Sequence, residues 1–537
     1  MISYDIFKYS NSIIAFMSNC DERIFDEKGI LIPSSTINVK RVSLGYIENK
    51  TSDYYFVTED SGKLKINYAE ITRYMRDDYF VGRSNVIDGR HRGAIQRIYV
   101  YSDSQGVYIP FDTEDIVSMC IHLIHKQYKD CLIPANFDSM IRMNVIPSLP
   151  LIEDIVITPE FEKMRTLYTD GEVIAFKNGY YSLRYDMLLP PTPCIFKTSA
   201  LQVNYNPINM NHPIEKYYRE MFDDDDTYKY FFELVGYTLY ASTFFIPTYF
   251  VMYGESGSNG KSAAVNAIMR IVGKDNYSQV TLEGMANDHV AASMEDKAMN
   301  ILSDSSTGAH ESIFKSVSAV PSCMKTSSSG ESIEINPKYK QPHIGFLSPK
   351  FVFASNVFLN LGDTTGGAQR RLQAVPFNKT FKENRTIAEL FKEESAIEWF
   401  ALEALNGFRR FINNAMHGKE YEPGIKLTGE YSECACAYQT KTDMMVFSNI
   451  IDDYLYNVLE LDIMNKQQVH DSLLNRERFE TDFEAYKELK AYADEIGRPC
   501  SSQTRFTQYM KKFGLKYTRV HTSSFGKSDY MYVFKDI

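Results

Sequence analysis

Thr248-Tyr249-Phe250-Val251-Met252-Tyr253-Gly254-Glu255-Ser256-Gly257-Ser258-Asn259-Gly260-Lys261-Ser262 is the stretch on which the reading of this chain turns. Its apolar start reads as a buried strand, its glycine-rich middle as a turn, and Ala263 to Val272 carries helical apolar spacing. A strand, a glycine turn and a helix in that order make a cradle of backbone N–H groups at a helix N-terminus, where phosphate oxygens are stabilised. Gly254, Gly257, Ser258, Asn259 and Gly260 would form the cradle, Lys261 would reach the β- and γ-phosphates, and Ser262 would ligate Mg²⁺. The implied cofactors are ATP and Mg²⁺. One residue is extra, because the common G-x-x-x-x-G-K-[ST] spacing would put glycine at 255, where Glu255 stands. Kinases, GTPases, packaging motors and helicases share such a loop, so it points to a ligand and leaves the function open.

Downstream, Ala298 to Asp304 reads as the next strand, and Asp304 fits the acid that holds Mg²⁺. A second carboxylate would normally follow to orient the attacking water, but the neighbour is Ser305. The base is therefore either Asp304 itself or a carboxylate from elsewhere, such as Glu311. Phe351 to Asn356 is a third strand, ending in an amide that can hydrogen-bond the γ-phosphate or the water; a simple turn-forming Asn is the alternative. Arg370-Arg371 precede a strand-like run from Leu372 to Phe377. An arginine here, Arg370 ahead of Arg371, would contact a neighbouring subunit's γ-phosphate and neutralise charge developing in the transition state. That role needs a ring of subunits.

Glu331 to Pro342 alternates like a strand and then enters a Pro-framed turn carrying Lys338, Tyr339 and Lys340. Lysines pair with phosphates and a tyrosine can stack on a base, so these three are candidate DNA contacts; a solvated turn is the alternative. The last hundred residues offer a helix from Thr481 to Gly497, a second from Ser501 to Phe513, and short strands at Tyr517–Val520 and Tyr530–Phe534 around Phe525-Gly526-Lys527. Helix, helix, strand, turn, strand is the order of a winged helix, with Lys511 and Lys512 on the second helix and Lys527 on the wing as DNA contacts. A basic protein-docking domain competes with that reading.

The length, 537 residues, exceeds what one core usually organises and predicts three or four domains. The net charge of −11 excludes a protein that coats nucleic acid with its whole surface, but from Ser501 to Ile537 seven Lys/Arg stand against two acids, which suits one basic domain. Apolar runs such as Phe244 to Tyr253 are too short to span a membrane, and no charged-then-apolar leader opens the chain, so a cytoplasmic protein is expected. Eight cysteines form no CxxC knuckles, and the Cys434/Cys436 spacing puts the pair on opposite sides of a helix. Asp223 to Asp226 reads as a solvated helix start within a helical stretch from Pro213 to Tyr240, since consecutive acids point in different directions. Ile174 to Leu183 reads as a hairpin, with Asn178-Gly179 supplying the positive φ angles of its turn. Residues 1–145 read as an α/β domain whose Arg83 to Arg97 loop is a candidate backbone contact or simply a solvated loop.

Together these segments resemble the superfamily 3 helicases, in particular the helicase half of the poxvirus-type and phage or plasmid primase-helicase family. The likeness covers roughly residues 160 to 537. Phe176 to Tyr181, Pro190 and Val203 to Pro207 resemble the segment before the motor, Tyr253 to Ser262 its phosphate loop, Ile313 to Val317 its helix after the acidic strand, and Gln369 to Leu372 its arginine finger. The resemblance implies an AAA+ P-loop motor, preceded by mixed α/β domains and followed by a winged helix. With the residue reading of 1–145 it divides the chain into that domain, a pre-motor domain at 146–240, the helicase core at 241–390, a helical connector at 391–440 and the winged helix at 441–537. It further implies a 3′-to-5′ hexameric ring on single- and double-stranded DNA at the origin of a mobile element, phage or plasmid, working with element-encoded replication proteins. The helicases of staphylococcal cassette chromosomes are one subgroup to compare. Residues 331–342 would be the hairpin that enters the ring's channel. The competing function is an ATP-regulated initiator that binds origin DNA and recruits a separate helicase, which the serine at 305 would suit.

Overall fold

The computed structural model describes residues 55–536, apart from 61–62, 87–94, 103, 129–130, 152–172, 184–185, 192, 194, 241–245, 296, 304–321, 330, 332, 339–341, 346, 348, 359–366, 383, 417–427, 475–484 and 525–526. The first unit opens with a ribbon of β1 (Val57–Asp60) and β2 (Lys63–Ile66), followed by α1 (Tyr68–Tyr79). An antiparallel sheet of β3 (Gly82–Val86), β4 (Ile95–Ser102) and β5 (Val107–Phe111) leads into α2 (Thr113–Gln127), whose start is fixed by a reciprocal Asp112–Asp115 capping box. Ile71, Met75, Val100, Ile116, Cys120 and Ile124 close a core between these layers, giving the mixed α/β character expected there. Arg83 and Arg97 are strand residues, not loop residues, and Arg83 Nε donates to the Leu149 carbonyl at 2.6 Å. The Asp88-to-Gly93 stretch between them lies outside the described residues.

Next come β6 (Val173–Phe176), β7 (Gly179–Ser182) and β8 (Met187–Leu189), a buried three-stranded meander. The hairpin is where the sequence puts it, but for a different reason. Phe176 pairs with Gly179, so the turn is Lys177-Asn178, and neither residue has a positive φ. Asn178 instead accepts from Tyr205 N at 2.8 Å and donates to Tyr205 O at 3.1 Å, which stitches the turn to the following chain.

Two helices, α3 (Ile214–Glu220) and α4 (Asp225–Tyr240), precede the central sheet. Asp224 accepts from Thr227 N at 2.6 Å and Asp225 and Asp226 open α4, so the acid run is a helix start as read. The sheet consists of β9 (Tyr249–Tyr253), which runs by a loop into α5 (Lys261–Val272), then β10 (Tyr277–Ser278) and β11 (Met299–Ser303). After α6 (Ser322–Ser328) the chain makes an antiparallel hairpin of β12 (Ile333–Ile335) and β13 (His343–Gly345). It re-enters the sheet as β14 (Lys350–Ser355), passes α7 (Gly367–Arg371) and adds β15 (Leu372–Pro376). All five strands are parallel, in the order β10-β11-β14-β9-β15.

Strands buried on both faces read as near-continuous apolar runs, as β9 does; the buried Asn300 of β11 is satisfied by Val280, accepting from its N and donating to its O, at 2.8 and 2.9 Å. Phe250 and Met252 turn to one face, packed with Phe231, Ile268 and Phe400; Tyr249 and Val251 turn to the other with Leu302, Phe353 and Met324. The first face is covered by α4 against α8 (Glu394–Met416). These helices cross at glycine: a Cβ on Gly236 would lie 2.2 Å from the Ala404 carbonyl oxygen, and one on Gly407 2.1 Å from that of Phe232. Beyond them, α9 (Ala435–Ser448), α10 (Lys466–Leu474), α11 (Ala485–Glu495), α12 (Gln503–Met510), β16 (Leu515–Ser524) and β17 (Lys527–Asp536) close a separate core around Tyr454, Leu489 and Phe506. The two last strands pair antiparallel over ten residues each, longer than the short strands expected, because their pairing runs on through polar residues to Ser524 and Lys527.

Candidate functional site

Parallel strands bring all their carboxyl ends to one edge, and the glycine-rich loop leaves the sheet there from β9, between β14 and β15. Gly254 N donates to Ser355 O at 3.2 Å, and Phe377 N donates to Tyr253 O at 2.6 Å, so both neighbours pin the loop's root. Gly260 caps α5 at φ +95°, a conformation that favours glycine. The loop cannot spare its first glycine either: a Cβ on Gly254 would fall 2.4 Å from Asn259 Nδ2 and 2.5 Å from Phe377 O. Around Gly257 there is open space. Asn259, buried, donates from Nδ2 to Ser256 O at 2.8 Å and to Phe377 O at 3.2 Å, and so holds the loop's curvature from within.

Lys261 is 7% exposed, and its ammonium donates to Gly254 O at 2.6 Å and to Asn356 Oδ1 at 2.8 Å. Two expected site residues thus meet, one from the head of α5 and one from the end of β14. Ser262 stands in the first turn of α5 beside a cavity of about 1030 Å³ that continues from Ser258, Asn259 and Gly260 and is walled by Tyr217, Met221, Phe381 and Phe391. No local pattern marks these walls, which come from two stretches far from the loop in sequence. The extra loop residue, Glu255, is exposed and accepts a hydrogen bond from the Tyr253 hydroxyl at 2.9 Å, which draws its carboxylate toward the Tyr253 side of the loop. The Tyr253 ring in turn stacks on Phe358, and burial raises its phenol pKa. Ser303 ends β11, and Asp304, Ser305, Glu311 and the 313–317 segment lie outside the described residues.

The arginine pair lies at the opposite end of the sheet, just before β15. Arg370 is exposed, whereas Arg371 is buried with its guanidinium donating to Ser328 Oγ, Ser329 Oγ and Gly367 O. A strand of five residues is about 16 Å long, so Arg370 cannot reach its own chain's loop. The β12–β13 hairpin is anchored at the turn end of β12 by Ile335 in the core and by His289, whose Nδ1 donates to Asn336 O at 2.8 Å. Lys338 is exposed at its turn, and Tyr339 and Lys340 lie outside the described residues.

In the last unit Lys511 is exposed and Lys527 opens β17. Lys512, expected to face DNA, does not: its ammonium donates to Asp452 Oδ1 at 3.1 Å and to the Tyr509 hydroxyl, and lies 3.7 Å from the centre of the Tyr509 ring. The Asp452 side chain has no exposure, so a buried carboxylate claims the lysine. Among the described residues no group of three His, Cys, Asp or Glu side chains could hold a metal, and no helix is long and apolar enough to cross a membrane. Cys434 and Cys436 are otherwise engaged: Cys434 Sγ accepts from Ala437 N at 3.5 Å and the Cys436 thiol donates to Asp224 at 3.3 Å.

Residues 252–371, from β9 to the arginine pair, match a family described as a family of unknown function, DUF5906. No curated protein matches the sequence. Among solved structures the chain is similar to the apo C-terminal region of NrS-1 (305–718), at 12% identity and a TM-score of 0.39, over 87% of this chain and 97% of that one. A second form of that region aligns at 11% identity and a TM-score of 0.38, over 88% and 98%. JCV helicase aligns at 12% identity and a TM-score of 0.23, over 54% of this chain and 67% of its own.

Proposed function

We propose that this chain is an ATP-driven DNA helicase, an AAA+ motor of the superfamily 3 kind that works as a ring. The observation that carries the reading is Lys261: a buried ammonium at the head of a helix, held by Gly254 O and Asn356 Oδ1 at the carboxyl edge of a parallel sheet. The cradle suits a nucleotide triphosphate. Gly254 and Gly260 let the loop fold tightly against Asn259, Phe377 and Met221, its helix start favours anions, and the adjoining cavity offers Tyr217, Phe381 and Phe391 to a nucleobase. Lys261 trades a carbonyl partner for phosphate oxygens, and Asn356 orients the γ-phosphate or the water beside it. Ser262 is the described residue that would hold Mg²⁺, together with Asp304, and the ion would neutralise charge on the β- and γ-phosphates.

Arg370 supports a ring, because an exposed arginine beyond reach of its own loop suits a neighbour's γ-phosphate. The hairpin with Lys338, Tyr339 and Lys340 tracks the DNA backbone, and residues 441–537 bind duplex DNA as a winged helix with Lys511 and Lys527 in contact. Six subunits, 3′-to-5′ movement and a mobile-element, phage or plasmid origin complete the proposal. The test is strand displacement on a forked duplex with ATP and Mg²⁺, beside Lys261→Ala and a Lys338→Ala/Lys340→Ala double variant, with hydrolysis followed in the same tubes. The parent should unwind DNA, Lys261→Ala should lose hydrolysis, and the double variant should hydrolyse ATP without unwinding. A parent that binds duplex, hydrolyses slowly and separates no strands would replace this reading with the ATP-regulated initiator.

A further inference from the structure

Arg370 and Arg371 are neighbours in sequence, yet the fold sends their side chains to different tasks. Arg370 faces outward. Arg371 spends its fork inside the chain: Nε donates to Ser328 Oγ at 3.1 Å, Nη2 to Ser329 Oγ at 2.6 Å, and Nη1 to Gly367 O at 2.7 Å. Ser328 ends α6 and Ser329 follows it, and each hydroxyl also donates back to Lys325 O, at 3.0 and 3.1 Å. Glu331 N then donates to Thr326 O at 3.2 Å, and β12 begins two residues later. One planar guanidinium therefore joins the short helix that carries Arg370 to the helical turn from which the β12–β13 hairpin grows.

We propose that Arg371 is a positioning residue that couples Arg370 to the hairpin, so that engagement of a neighbour's nucleotide by Arg370 is passed through Ser328 and Ser329 to the DNA-tracking turn. The proposal rests on the ring-helicase reading. Its mechanics are local: α7 is a single short turn, so a pull on Arg370 toward an anion moves Arg371 with it. The charged, bidentate contact to two hydroxyls resists slipping better than a single neutral hydrogen bond would. The hairpin is held at the turn end of β12 by His289 at Asn336 O, so a shift at the α6 end tilts the paired strands about that point.

The test uses the full chain with Ser328→Ala/Ser329→Ala, which removes both acceptors and leaves Arg370, Lys261 and the hairpin lysines intact. Ser329→Thr keeps the hydroxyl of the shorter contact and serves as the conservative variant. Hydrolysis with and without forked DNA, strand separation and the thermal midpoint are measured for each. The alanine pair should hydrolyse ATP without DNA within about two-fold of the parent and lose about five-fold or more of both DNA stimulation and strand separation. Ser329→Thr should behave as the parent does. Parental DNA stimulation and unwinding in a folded alanine pair would overturn the coupling, as would an equal loss of DNA-free hydrolysis, which marks a mere prop. If the parent itself shows no DNA-stimulated hydrolysis, the helicase reading fails, and the coupling with it; that failure is visible without any variant.

Discussion

Lys261 holds its position through two oxygens from different elements, so its loss removes the tie between loop and β14 and, on the proposed reading, a phosphate partner as well. Lys261→Ala should lower steady-state ATP hydrolysis by about a hundred-fold or more. The loop glycines make a sharper prediction because their surroundings differ. Gly254→Ala forces a methyl against Asn259 and Phe377 and should abolish hydrolysis, whereas Gly257→Ala, with nothing near it, should leave the rate close to the parent's. Equal effects in that assay would mean that the loop opens differently when nucleotide binds. The strand, loop and helix here were legible in the sequence because an apolar run, a glycine turn and helical spacing follow one another in one short stretch. Arg371 and Lys512 were not legible as internal residues. Their partners, Ser328 and Asp452, stand 43 and 60 positions away, and a lone basic residue in sequence looks the same whether it meets solvent or a buried acceptor.

At the scale of elements, the sequence marks strands and helices by period but is silent on their order in the sheet. The insertion of β14 between β9 and β11 is what delivers Asn356 to Lys261, and only long-range pairing records it. Asn178 teaches a similar lesson, since Asn-Gly located the hairpin while the asparagine serves as a clamp to Tyr205. A second clamp of this kind was unmarked: the buried Glu398 on α8 accepts from Asn204, Asn206 and Asn209, at 3.3, 2.8 and 2.6 Å. It fastens the segment before the central sheet to the helix that covers that sheet. Glu398→Ala leaves those amides short of an acceptor and should cost roughly 3 kcal/mol in denaturant unfolding. Glu398→Gln, which keeps one acceptor oxygen, should cost less, and a reversed ranking would assign the clamp's worth to charge alone.

For the whole molecule, burial of Lys350 at the start of β14 has a measurable consequence. Its ammonium donates to the Tyr237 hydroxyl at 3.2 Å, and burial lowers its pKa to about 7. The unfolded chain holds that proton up to about pH 10.4, so it binds more protons than the folded one across the interval. Stability from this group therefore rises with pH between about 7 and 10. Lys350→Met should flatten that rise in a series of thermal midpoints, and an unchanged slope would place the titration elsewhere. A ring makes its own prediction. Lys261→Ala and Arg370→Ala proteins, each inactive alone, should regain hydrolysis when mixed, because some interfaces then pair an intact lysine with an intact arginine; no recovery would mean that the arginine does not act across subunits.

The placement of Arg370 at one end of the sheet and the glycine loop at the other carries a last consequence. If the proposed reading holds, a chain built this way owns two halves of different catalytic centres and no complete one. On the proposed reading a solitary copy is idle however much ATP surrounds it, and specific activity climbs steeply with protein concentration until assembly is complete. Dosage then becomes a licence: a host that keeps the copy number low silences the enzyme without an inhibitor, and the DNA threaded through the assembly is the one place where its activity endures on dilution.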